Sequence, residues 1–126
     1  MKVVVDTSLL VDKFRGGPAW KRFEKTAAGK SEVYISTVVY FEIFSGESTR
    51  GSEKMGEIRE FLRQFEKVDI TEGIATRAGE MARDYKLDID LPDFIVAATA
   101  IEIGAEVVTL NRKHFAQVPG LRLYSP

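Results

Sequence analysis

A chain of 126 residues with 44% hydrophobic side chains is the size of one domain around one core, and no segment is apolar for long enough to cross a bilayer. Cysteine is absent and histidine occurs once, which excludes a disulfide framework, thiolate or histidine-rich zinc sites and a cysteine nucleophile, so any metal must be a hard ion held by oxygen. The net charge of −1 gives no global pull toward nucleic acid, and with no signal-like opening the expected setting is a soluble, cytoplasmic protein without a membrane.

The chain opens on Val3, Val4 and Val5, a β-branched run suited to a strand buried on both faces, and the run stops at Asp6. Thr7 and Ser8 then begin a helical pattern, so strand turns to helix at an acid. In an open parallel sheet ligands gather at this end of the strands; Asp6 is either a crevice acid or a helix cap. After the turn Gly16–Pro18, a second helix runs toward Gly29, with Trp20 and Phe23 sharing a core face. Glu32–Ser36 reads as a strand.

Val38–Phe44 is apolar or aromatic at every position except Glu42, a pattern expected of a buried helix. A carboxylate there must find a cation, either a metal ion or a basic side chain. An amphipathic helix is expected over Glu53–Glu66, a strand over Lys67–Ile70 and a helix from Thr71 to about Leu87, all three reading as scaffold. Asp90–Gly104 is again nearly all apolar, broken by Asp93, Thr99 and Glu102, with Pro92 placed for a first turn. Asp93 by itself would do no more than complement the helix dipole. Glu106–Leu110 reads as a strand emptying into Asn111; a short turn and an edge strand over Leu121–Ser125 follow.

Strands alternating with helices predict a three-layer α/β/α domain over residues 1–126 with a parallel sheet of four to five strands. Asp6 and Asn111 then leave strands at one sheet edge, and Glu42 and Asp93 stand early in helices that start near it. Three carboxylates and a carboxamide in one crevice repel unless a divalent cation neutralises them, an arrangement suited to metal-assisted phosphodiester hydrolysis. A receiver domain would need adjacent acids after its first strand, and a haloacid-type phosphatase a second acid at Ser8.

With VVVDTSLLV at Val3–Val11, Glu42 within YISTVVYFEI, LPDFIVAATA at Leu91–Ala100 and VVTLNRKHF at Val107–Phe115, the whole chain resembles the PIN-domain ribonucleases, and within them the VapC-type toxins of toxin–antitoxin modules. The resemblance implies strand order 3-2-1-4-5, Mg²⁺ or Mn²⁺ dependence, an RNA substrate cut by metal-activated water, and a homodimer inhibited by a VapB-like antitoxin. It places Asp6, Glu42 and Asp93 on the family's acidic positions and Thr7 on a small hydroxyl position that orders the site. Asn111 stands where many members have a fourth acid, which leaves open whether one metal ion or two are held. Lys13, Arg15, Arg112 and Lys113 are candidate phosphate contacts, or ordinary surface. His114, the lone histidine, is expected in a solvent-exposed or helix-end role. Two alternatives stay open: a PIN nuclease of RNA processing or DNA metabolism, and a catalytically weak scaffold that binds RNA or antitoxin.

Overall fold

The computed structural model describes residues 1–27 and 29–125. Strand β1 (Lys2–Val5) lies at the centre of a parallel sheet, flanked by β2 (Glu32–Ser36) and β4 (Glu106–Val108), with β3 (Glu66–Val68) outside β2. Val4 registers with Tyr34 on one side and Val107 on the other, and Tyr34 in turn with Glu66. The order β3-β2-β1-β4 agrees with the expectation. The expected fifth strand is reduced to one parallel bridge from Leu123 to Val107, closed by Val107 N–H to Arg122 O and Tyr124 N–H to Val107 O, both 2.9 Å.

Alternation along β1 divides the apolar interior in two. Val3 and Val5 face a layer built by α1 (Thr7–Phe14), α2 (Ala19–Ala27) and α4 (Ser52–Leu62). There Trp20 is 5% exposed, with Phe61 and Phe65 set edge-on to it at 5.4 and 5.3 Å. Val4 faces the opposite layer, built by α5 (Glu72–Asp84), α6 (Leu91–Ile103) and α7 (Arg112–Phe115). Between them α3 (Val38–Phe44) sends Val39 and Ile43 to the first core and Val38 to the second.

Helix α6 accommodates its apolar composition by burying every residue from Phe94 to Ala100, with the Thr99 hydroxyl donating to Ile95 O at 2.7 Å. It ends at Gly104, whose φ of +71° lets Ala105 N–H reach Ala100 O, placing β4 directly after the helix. Helix α3 departs from expectation: it is not buried all round, since Phe41 is 71% exposed and Glu42 half-buried. At seven residues it makes barely two turns, so only one stripe can reach the cores. The helix expected to reach Gly29 is α2, ending at Ala27; residue 28 lies outside the described residues.

Candidate active site

Asp6 is the first residue beyond β1, and its N–H continues the sheet by donating to Val108 O at 3.0 Å. Its side chain is 2% exposed. Oδ2 accepts from the Ser8 hydroxyl at 2.7 Å, the Thr109 hydroxyl at 2.8 Å and, more weakly, Ser8 N–H at 3.4 Å. Each hydroxyl has a single proton, committed to Asp6, and each accepts a backbone amide in return: Leu110 N–H to Ser8 at 3.0 Å and Asn111 N–H to Thr109 at 2.9 Å. The chain leaving β4 thus orients the two hydroxyls that fix Asp6. The capping and crevice readings of Asp6 both describe it: it is the N-cap of α1 and also lines a crevice at the carboxyl end of the sheet.

Glu42 enters that crevice from α3, with Oε1 accepting the Thr7 hydroxyl at 2.6 Å. Asp93 enters from the first turn of α6, its Oδ2 standing 3.5 Å from Nδ1 of His114. Burial raises the Glu42 carboxyl above its usual range; the Thr7 bond opposes this, while the charges of Asp6 and Asp93 add to it. Burial likewise raises Asp93, reinforced by Asp6 and countered by His114. Both groups respond to the nearby charge of Asp6, and among the described residues neither Asp6 nor Glu42 has a basic side chain in ion-pair contact.

Asp6, Glu42, Asp93 and Asn111 together line one crevice of about 410 Å³. Asn111 holds the N-cap position of α7 without a side-chain cap bond, which leaves its carboxamide free. Arg15 is the basic side chain of this wall. The other candidate phosphate contacts lie elsewhere: Lys13 sits over the Phe61 ring at 5.3 Å, Arg112 donates to Tyr124 O at 2.8 Å, and Lys113 is exposed on α7 outside the crevice wall. His114 is exposed in a last helical turn as expected, but it also flanks Asp93.

Sequence reasoning did not find Ser8 and Thr109 as the holders of Asp6. The available signal was a hydroxyl two residues after the acid and another two residues before Asn111. Asp12 also lines the crevice yet is committed to the fold: Oδ2 accepts Ala19 N–H at 3.0 Å, and the carboxylate lies where a β-carbon on Gly17 would stand.

The donor set fits a hard divalent ion. Every candidate ligand is oxygen, and the hydrogen bonds described above leave one oxygen of each carboxylate free. Among the described residues no three acids or histidines close into a ready-made cage. Carboxylates on separate walls of an open crevice suit Mg²⁺ or Mn²⁺, ions that keep part of their shell for water and phosphate oxygens.

The PIN-domain family model matches residues 3–121. Over 94% of this chain and 96% of the relative, the sequence is 33% identical to Ribonuclease VapC19 of Mycobacterium tuberculosis. A toxin–antitoxin complex from Klebsiella pneumoniae contains a chain 30% identical, with a TM-score of 0.77 and coverage of 98% and 99%. The VapBC2 structure from Rickettsia felis, bound to a promoter DNA fragment, superposes at a TM-score of 0.85 with 24% identity over 98% of both chains.

Proposed function

Since the chain belongs to the PIN-domain family, we propose that it is a Mg²⁺- or Mn²⁺-dependent endoribonuclease, the toxin of a VapBC-type pair, whose site is the crevice of Asp6, Glu42, Asp93 and Asn111. The observation that carries this reading is that three acids from three separate elements line one crevice, with no basic ion-pair partner on Asp6 or Glu42 among the described residues, in a chain whose relatives are named ribonucleases. Asp6, Glu42 and Asp93 would hold the ion, with the Asn111 carboxamide as a neutral fourth donor. When bound, the ion supplies a nucleophile from water at neutral pH and offsets charge developing on the phosphate.

The chain's own residues prepare that chemistry. Ser8 and Thr109 hold Asp6 in one rotamer with one oxygen toward the crevice, and Thr7 does the same for Glu42, so neither carboxylate must reorganise. Arg15 meets a non-bridging phosphate oxygen from the crevice wall. In-line attack at phosphorus leaves a 3′-hydroxyl and a 5′-phosphate. A small VapB-like antitoxin would bind and inhibit the chain, which acts as a homodimer. Among the described residues no helix is long and apolar enough to cross a membrane.

The test is cleavage of single-stranded and structured RNA in Mn²⁺ or Mg²⁺, abolished by chelator. Asp6→Asn, Glu42→Gln and Asp93→Asn should each lower the rate by orders of magnitude with the fold retained by circular dichroism. Cleavage by all three variants at the parent rate would place the reaction elsewhere. A second reading, a weakly catalytic scaffold that binds RNA or antitoxin, is favoured by Asn111 standing in place of an acid; it predicts RNA binding with metal-independent silence.

A further inference from the structure

The acid crevice shares a wall, at Leu110, with a second space of different chemistry. Leu110, 53% exposed, lines the crevice and also a cleft of about 450 Å³ between α2 and the chain that follows β4. The cleft walls are Leu9, Phe23, Val108 and Tyr124, all buried apolar side chains. Its hydroxyls are already paired, since Thr26 donates to Phe23 O at 3.1 Å and lies 2.9 Å from the Tyr124 hydroxyl. The apolar walls are edged with positive charge. Arg22 and Lys25, one turn apart on the exposed side of α2, have no acidic partner among the described residues. Arg112 faces them with its guanidinium fixed by a donation to Tyr124 O at 2.8 Å.

An occupant suited to both features carries an apolar body and regularly spaced negative charge, and reaches the cleft from the acid crevice past Leu110. We propose that the cleft seats the base of a nucleotide flanking the scissile phosphate of single-stranded RNA, with Arg22 and Lys25 receiving the adjoining backbone phosphate. The inference rests on reading the acid crevice as the cleavage site and adds to it a subsite for base selection. The fixed plane of Arg112 offers a stacking surface for that base. A wholly apolar peptide segment would match the walls but would leave Arg22 and Lys25 without counter-charge, whereas each RNA base arrives with an anionic backbone phosphate beside it.

The experiment scans a labelled oligoribonucleotide with single abasic positions, measuring binding by fluorescence anisotropy in chelator and cleavage separately in Mn²⁺. One position should weaken binding of the parent at least fivefold. Ala19→Leu, which fills the cleft from α2, should erase that dependence while its cleavage of the abasic strand matches the parent's. Arg22→Ala with Lys25→Ala should weaken binding of every strand and reduce its salt dependence. Base-independent binding by a parent that cleaves would overturn the subsite alone. Base-dependent binding by a parent that never cleaves would overturn the nuclease reading alone. Should Ala19→Leu misfold by its melting curve, the double arginine–lysine variant and the parent's own abasic profile still decide the matter.

Discussion

Asp6 and Glu42 are both acids of the crevice, yet their neighbours give them opposite energetic characters. Asp6 is held by two hydroxyls and an amide that all donate to one oxygen, so Asp6→Asn keeps those bonds only by giving its single carbonyl oxygen to them and turning its NH2 toward the crevice. The crowding of acids that the sequence predicts is felt at Glu42, as at Asp93, each raised first by burial and then by acidic neighbours. A carboxyl raised in the native state binds more protons there than in the unfolded chain, so stability falls as pH rises from the ordinary carboxylate range through the raised value. In chelator, Glu42→Gln should therefore melt above the parent at neutral pH, with the gap closing as the pH is lowered toward about 4, the unperturbed carboxylate range. A thermal-melt series in which the gap is independent of pH would show that Glu42 carries no such strain. The sequence marked Asp6, Glu42 and Asp93 because each interrupts an apolar run. It marks Ser8 and Thr109 only by their spacing from Asp6 and Asn111, because Ser8 accepts an amide 102 residues away and Thr109 donates to an acid 103 residues away, contacts made through the pairing of β1 with β4.

Among the elements, β2 and α6 fall where their residues predict, because each is bounded by local chemistry: α6 by Pro92 at its start and Gly104 at its end. The misplaced ends lack such markers. Helix α4 stops at Leu62 rather than Glu66; the Lys67 ammonium donates to Leu62 O at 2.7 Å and Phe65 O at 2.8 Å, so carbonyls at and just after the helix end are satisfied by a side chain. Helix α5 stops at Asp84 because Tyr85 turns extended. Strand β4 ends at Val108, its last carbonyl taken by Asp6 N–H, which frees Thr109 to turn toward the acid. Helix α2 has a remote start signal, for Asp12 on α1 accepts the amide of Ala19 across the Gly16–Pro18 turn. Asp12→Ala should cost about 1 kcal/mol in urea unfolding, the usual worth of a lost helix cap. No change in the midpoint would show that α2 is set by its apolar face alone.

At the scale of the whole molecule, the proposed ion site would make folding and ion binding one equilibrium. A divalent ion that binds only the native state stabilises it by about 2.7 kcal/mol at roughly a hundredfold its dissociation constant. The melting temperature of the parent should climb with Mn²⁺ at neutral pH, and Asp93→Asn should climb less. Equal response of parent and variant would detach Asp93 from the ion. The global fold was legible because alternation of strand and helix leaves few topologies. The fifth strand was not, because a segment at the sheet margin can satisfy its backbone with one bridge and leave the rest to water.

The central place of β1 has a consequence for how the protein is made. The Thr109 hydroxyl that fixes Asp6 is 103 positions later in the chain, and β1 pairs with β4 only once both exist. At a synthesis rate of about 5–20 residues per second, several seconds separate the two. During that interval the acids of the first half have no fourth strand to align them, so a nascent chain on its ribosome, surrounded by RNA, carries no assembled crevice. On the proposed site, cleavage would begin only once Thr109 has been made and β4 has paired with β1.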